Sequence, residues 1–157
     1  MNIKLIAIGK TDNKNLQALI DEYTKRLGFY IKFDLDIIPD IKNVKNLSES
    51  EQKTKEGQLI LSKLTPTDQL ILLDENGKEF NSVGFSDFLQ KKMNSGIKTL
   101  VFVIGGPYGF SEEAYQKAQG KVALSQMTFS HQMVRLFVIE QIYRGFTILN
   151  KEPYHHN

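Results

Sequence analysis

Along the chain, hydrophobic positions alternate between strand-like and helix-like spacing. Ile3 to Ile8 is an apolar, β-branched run ended by Gly9, which reads as a strand. Leu16, Leu19, Ile20, Tyr23 and Leu27 then recur at helical spacing, with Asp12 as the cap and Gly28 as the stop. Ile31, Phe33, Leu35 and Ile37 alternate with polar residues, predicting a half-buried strand over 30–38 that Pro39 closes. Residues 40–46, which carry two lysines, read as a surface loop. Ser48 and Glu51 have capping-box spacing and open a second helix to about Leu64. Glu49–Lys53 and Glu51–Lys55 pairs lie on its wet face.

Residues 69–73 predict a short apolar strand, and Asn76-Gly77 is a strong turn signal after it. A third helix spans Ser82 to Asn94, directing Phe85, Phe88, Leu89 and Met93 inward, with Gly96 as its stop. Thr99 to Ile104 (TLVFVI) is apolar without interruption, as in a parallel sheet covered on both faces. Ser111 with Glu112 and Glu113 starts a short fourth helix, 121–124 predicts the last strand, and 131–150 forms a long apolar helix. Strands and helices in alternation define an α/β fold with a mainly parallel sheet and helices on both faces. One domain over 1–157 is the economical reading.

Composition narrows the chemistry. The absence of cysteine excludes disulfides, thiolate zinc sites and cysteine nucleophiles. A net charge of +2 is compatible with an RNA partner but too small to select one, so recognition would have to come from shape. The N-terminal MNIKLIAIGK lacks a cleavage site, and no window approaches a membrane span, so a soluble, cytoplasmic protein without membrane contact is expected. No metal site is expected either, because adjacent His155 and His156 rarely converge on one ion.

In open α/β sheets, ligands bind at the carboxyl ends of the strands. Three such ends are unusual: Leu73-Asp74-Glu75-Asn76-Gly77, Ile104-Gly105-Gly106-Pro107-Tyr108-Gly109-Phe110, and Leu124-Ser125-Gln126-Met127-Thr128-Phe129. The glycines of the second permit a sharp turn and a close backbone approach to a ligand, so a side chain at Gly105 would fill space that a ligand needs. A plain strand-to-helix turn is the alternative; the loop matches neither the P-loop nor the GxGxxG pattern. In the third segment, backbone groups are suited to reading a purine edge between Leu124 and Phe129, with an ordinary packed loop as the alternative.

The last helix is apolar on more than one face, which predicts a dimer interface or, alternatively, full internal burial. Arg135, Glu140, Gln141 and Arg144 interrupt that surface and are placed to pair with one another or to meet RNA. His131, beside the third segment, is suited to accept a proton near neutral pH, or to cap the helix. The tail Pro153-Tyr154-His155-His156-Asn157 offers rings that stack on unpaired bases, or is a frayed end.

VFVIGGPYGFS, LSQMTFSHQMVRLFVIEQIYRGFTILNKEPYHH, the opening MNIKLIAIGK, KEGQ at Lys55–Gln58 and LLDENGK up to Lys78 together resemble the ribosomal large subunit methyltransferase H family over nearly the whole chain. The resemblance implies a SPOUT fold with a C-terminal trefoil knot, and a homodimer through the C-terminal helix with the cofactor site near the interface. It implies methylation of a pseudouridine of 23S ribosomal RNA at N(3), on the assembled ribosome, from S-adenosyl-L-methionine. The positions matching that family's cofactor site are Leu73, Gly105, Leu124, Ser125, Gln126, Met127, Thr128 and Phe129. His131 is the first candidate for proton removal, with Tyr154 and His155 second, and Arg135, Arg144 and His156 are candidate RNA contacts. Ser130 stands where the family usually has proline, and His156 where it usually has a basic residue. A non-catalytic ribosome- or RNA-binding module with the same knotted fold is the alternative.

Overall fold

The apolar runs assemble into one parallel sheet. In the computed structural model, which describes residues 1–156, the strands are β1 (Asn2–Ile8), β2 (Phe33–Ile38), β3 (Asp68–Glu79), β4 (Thr99–Ile104) and β5 (Gly120–Ala123). Their order is β2-β1-β4-β3-β5, and each strand pairing is parallel. The helices are α1 (Lys14–Leu27), α2 (Glu49–Ser62), α3 (Ser82–Asn94), α4 (Glu112–Lys117) and α5 (Met133–Leu149). α1, α3 and α5 cover one face, and α2 and α4 the other.

The sheet therefore has two cores, and β4 shows why its run is uninterrupted. Side chains alternate across a strand, so Leu100, Phe102 and Ile104 enter the core under α1, α3 and α5, while Val101 and Val103 enter the core under α2 and α4. Burying each such side chain contributes about 1.5–3 kcal/mol. α5 lays Val138, Ile139, Ile142 and Phe146 into the first core, but Met133 and Phe137 stay 50% and 40% exposed. Burial of α5 within the chain is thus incomplete.

Local chemistry sets the element ends. Both halves of the α2 capping box form: Glu51 N donates to Ser48 Oγ at 3.1 Å, and Ser48 N donates to Glu51 Oε2 at 2.9 Å. The cap of α1 is Asn13, whose Oδ1 accepts from Asn15 N and Leu16 N, and not the expected Asp12. Asp12 is taken by Gln132: Asp12 N donates to Gln132 Oε1 at 2.8 Å, and Gln132 Nε2 donates to Asp12 Oδ2 at 2.7 Å. That pair ties the start of α1 to the start of α5.

One element differs in kind. The Asn76-Gly77 signal does not end a short strand; β3 continues to Glu79. Leu73 and Lys78 both register with Val122, so residues 74–77 loop out and the chain rejoins the same partner. Asn76 N donates to Asp74 Oδ1 at 2.8 Å within the excursion. A Cβ at Gly77 would stand 2.6 Å from the Val122 backbone, so only glycine allows this close return. The same residues serve a bulge at the sheet's carboxyl end instead of a terminal turn.

Among the described residues, no helix is long and apolar enough to cross a membrane, and no group of three or more His, Asp or Glu side chains is placed to hold a metal ion.

Candidate functional site

Parallel strands put their carboxyl ends together. The chain leaves β3 through α3 on one face to reach β4, and leaves β4 through α4 on the other face to reach β5 beyond β3. Connections that diverge in this way leave a crevice at the strand ends. A cleft of about 630 Å³ lies there. Leu73, Gly105, Leu124, Ser125, Met127, Thr128 and Phe129 line it, and so does His131. Gln126 is exposed and does not line it.

The glycine loop forms one wall. Gly109 N donates to Gly106 O at 3.1 Å, and Gly109 has φ +79°, a left-handed conformation that favours glycine. The role expected of Gly105 needs correcting. Its missing Cβ points at the loop's own Phe110, 3.1 Å from ring atom Cζ, and not into open space, so a side chain there would act by displacing Phe110. The tightest approach is at Gly106, where a Cβ would lie 2.0 Å from Glu56 Oε2.

Glu56 and Gly57 give the KEGQ segment a physical role that its sequence did not disclose. Helical spacing identifies α2 but not which residues meet a loop 50 residues away (106 against 56). Gly57 lets α2 pack closely on α4, since its Cβ would lie 2.2 Å from Ser111 Oγ. Glu56 is 4% exposed, and Gln52 Nε2 donates to its Oε1 at 2.8 Å. Burial pushes its carboxyl above the usual range; Asp40 adds to this, while the Gln52 bond and His131 oppose it.

The opposite wall holds two residues whose roles went unread. Tyr115 of α4 donates its hydroxyl to Asp74 Oδ2. Burial and the Asp74 carboxylate push that hydroxyl up to about 12, so Tyr115 remains a donor at neutral pH. Its ring packs edge-on against Phe110 at 5.8 Å, coupling this wall to the glycine loop. Asp74 and Tyr115 are 41 residues apart, and neither periodicity nor composition links them.

The third wall is the irregular segment after β5. Ser125 Oγ accepts from Met127 N at 3.0 Å, and Phe129 rests against Phe137 of α5, ring centroids 5.5 Å apart. Ser130 Oγ accepts from Gln132 N at 3.3 Å and Met133 N at 3.5 Å, as a capping serine does. His131 is exposed at the cleft, while its carbonyl accepts from Arg135 Nε at 3.2 Å.

Arg135 is not an RNA contact in this fold. It is 2% exposed, and its other donors go to Thr11 Oγ1 at 3.0 Å and Ile8 O at 2.7 Å. Its guanidinium joins the end of β1 to the turn that carries His131. Burial lowers its pKa, opposed by Asp40 and Asp12.

The tail forms a separate cluster. Tyr154 lies 3.2 Å, hydroxyl to hydroxyl, from Tyr23, and donates to Glu140 Oε1 at 3.0 Å. Its ring meets Tyr143 edge-on at 4.8 Å and lies 4.6 Å beneath the Arg144 guanidinium. Arg144 donates to Glu140 Oε1 from Nη2 at 2.6 Å and from Nε at 3.0 Å, and its Nη1 is 3.4 Å from His155 Nδ1. Much of the Arg144 guanidinium is therefore engaged within the chain, whereas His156 is exposed. Tyr154 and His155 do not line the cleft.

A family model described as "Predicted SPOUT methyltransferase" matches residues 1–155. The chain is similar to the ribosomal RNA large subunit methyltransferase H of Flavobacterium johnsoniae, 85% identical over 156 residues and 99% of each chain. It is 83% identical to the protein of that name from Flavobacterium psychrophilum and 64% identical to that of Christiangramia forsetii, again over 99% of each chain.

Proposed function

The chain belongs to the SPOUT methyltransferase family, and we infer that it is an enzyme that methylates ribosomal RNA of the large subunit. The non-catalytic alternative gains nothing from relatives that are named as methyltransferases. In its finer form, the reading is of a single domain over 1–157, with a C-terminal trefoil knot, that works in the cytoplasm as a homodimer through α5. It methylates N(3) of a pseudouridine in 23S ribosomal RNA from S-adenosyl-L-methionine. The observation that carries the cofactor reading is the convergence of seven of the eight resemblance positions, and His131, on one cleft.

The cleft's size and chemistry suit that cofactor. About 630 Å³ is within the usual range for ligand sites of 300–1,000 Å³. Its lining carries Glu49, Asp74 and Glu75 against Lys53, a balance that favours a cationic ligand in a chain of net charge +2. What the cofactor supplies is an electrophilic methyl group on a sulfonium. Leu73, Gly105, Leu124, Ser125, Met127, Thr128 and Phe129 would hold it through backbone groups and apolar contact. His131, exposed at the cleft edge, accepts the N(3) proton of the target at a ring nitrogen. Orientation of the two reactants contributes much of the acceleration. Tyr154 and His155 are the second candidates for this proton, and Arg144 and His156 for contact with RNA. Exposed Met133 and Phe137 on α5 support the dimer reading.

The test is transfer of labelled methyl from S-adenosyl-L-methionine to intact ribosomes lacking the modification, with free 23S RNA as control. Label on the pseudouridine of intact ribosomes alone is the expected result. Label on free RNA alone would refute recognition by ribosome shape. No label on either, with cofactor binding intact, would point to another RNA target.

A further inference from the structure

One nearly buried charged group beside the cleft, Glu56, is left without a role by the cofactor positions and His131. Glu56 lies at the back of the glycine loop, 4% exposed. One carboxylate oxygen, Oε1, is held by Gln52 at 2.8 Å. The other, Oε2, receives no hydrogen bond among the described residues, keeps slight solvent contact, and sits so close to Gly106 that a Cβ there would be 2.0 Å away. Gly106 itself lines the cleft. Gly106 thus borders both the cleft and the carboxylate.

Fold stability does not explain a carboxylate here. A buried acid with one hydrogen bond is costly, and burial raises its pKa accordingly. Apolar or amide groups of the same length would fill the position more cheaply. What they would lack is a fixed negative charge close to the cleft. The lining acids Glu49, Asp74 and Glu75 contribute less selectively: Asp74 is engaged by Tyr115 and Asn76 N, and exposed carboxylates are screened by water and salt. The field of a nearly buried charge is screened much less.

We propose that Glu56 determines specificity between cofactor and product, its carboxylate favouring the cationic sulfonium over the neutral thioether left after methyl transfer. This rests on the reading of the cleft as the S-adenosyl-L-methionine site. Methyl transfer turns a ligand of sulfonium charge +1 into S-adenosylhomocysteine, whose sulfur is neutral. The two share their adenosine, amino and carboxylate groups, so only the sulfur charge and one methyl distinguish them. A charge behind Gly106 acts on that difference, strengthening cofactor binding without strengthening retention of the product.

The experiment is calorimetric titration of the wild-type protein and Glu56 variants with S-adenosyl-L-methionine, S-adenosylhomocysteine and an analogue carrying an ammonium in place of the sulfonium. Glu56→Gln keeps the length and an acceptor for Gln52. It is expected to lower the ratio of cofactor to product affinity roughly tenfold, as a charge pair at an intermediate dielectric predicts. The ammonium analogue is expected to weaken in parallel with the cofactor, while product affinity stays within about twofold. Glu56→Asp, which keeps the charge, is expected to retain most of the preference. Glu56→Met is a second neutral variant should the amide fail to fold. If the neutral variants weaken all three ligands equally, Glu56 is only structural and the proposal falls. An unchanged ratio overturns it as well, leaving the cofactor reading intact. No binding of any of the three to the wild-type protein overturns the cofactor reading and this proposal with it.

Discussion

The cleft and the tail cluster are both rich in polar and aromatic side chains, yet they use their hydrogen bonds differently. In the tail cluster the side chains satisfy one another, and one contact spans most of the chain. Tyr154 reaches Tyr23, 131 residues away, and shares Glu140 with Arg144. Around the cleft, the segment after β5 bonds mainly to itself over two or three residues, as from Met127 N to Ser125 Oγ and from Met133 N to Ser130 Oγ. A region whose polar groups satisfy one another works as a clasp. A region whose loops are shaped locally keeps its surface for a ligand. The two regions should therefore fail differently when mutated: cleft variants in binding or turnover, tail variants in local stability.

The largest expected effect is at Arg135, where the comparison breaks down because one side chain supports the cleft by being spent entirely inside the protein. Arg135→Met removes donors from Ile8 O, Thr11 Oγ1 and His131 O. A loss of about 3 kcal/mol is expected in urea denaturation, because three hydrogen bonds from a buried charged group are lost together and their part-buried acceptors are left unpaired. Cofactor affinity should fall with it as the His131 turn loosens. A loss under about 1 kcal/mol would mean that this junction is not held as described.

The next effect sharpens the comparison. His131→Ala is expected to lower turnover about 100-fold, within the usual range for a general base. Cofactor affinity should change by less than a factor of two and stability by less than about 0.5 kcal/mol, because the side chain is exposed. Single-turnover kinetics with calorimetry separates these terms, and unchanged turnover would remove His131 from the mechanism.

How much of this was legible in the sequence depends on the range of the interaction. The capping box at Ser48–Glu51, the span of α3 and the two-faced burial of β4 depend on neighbouring residues, and local pattern gave each of them. The grouping of the three strand ends at one cleft was legible because parallel topology alone brings them together. Partners far apart in the chain were not. Nothing local says that Arg135 faces Ile8 rather than solvent, that Tyr115 bonds Asp74, or that Glu56 lies behind Gly106. The Asn76-Gly77 signal predicts the end of a strand because pattern cannot distinguish a terminal turn from an excursion that rejoins the same partner.

A smaller effect tests the clasp. Tyr154→Phe removes the hydroxyl shared with Tyr23 and Glu140 but keeps the ring against Tyr143 and under Arg144. A loss of about 1 kcal/mol is expected, the net value of a part-buried hydrogen bond. Cofactor affinity should not move. If it falls along with stability, the tail and the cleft are coupled within one chain and are not two independent regions.

The smallest effect runs in the opposite direction. Burial holds the Glu56 carboxyl above its usual pKa, so the folded state keeps its proton to higher pH than the unfolded chain does. Between the two titrations the folded state binds more protons, and stability falls as pH rises. Below the unfolded value, about 4.3 for glutamate, that penalty is absent. Glu56→Gln never ionises and keeps an acceptor for Gln52. It is expected to match the wild-type protein near pH 4 and to exceed it at pH 7 by no more than roughly 1 kcal/mol. The remaining carboxylates are common to both proteins and cancel in the difference between the two stability–pH curves. The same substitution is expected to gain stability and lose discrimination between sulfonium and thioether. A residue that only supported the fold would lose stability and leave the discrimination unchanged, so measuring both quantities on one variant distinguishes a charge kept for the ligand from a charge kept for the fold.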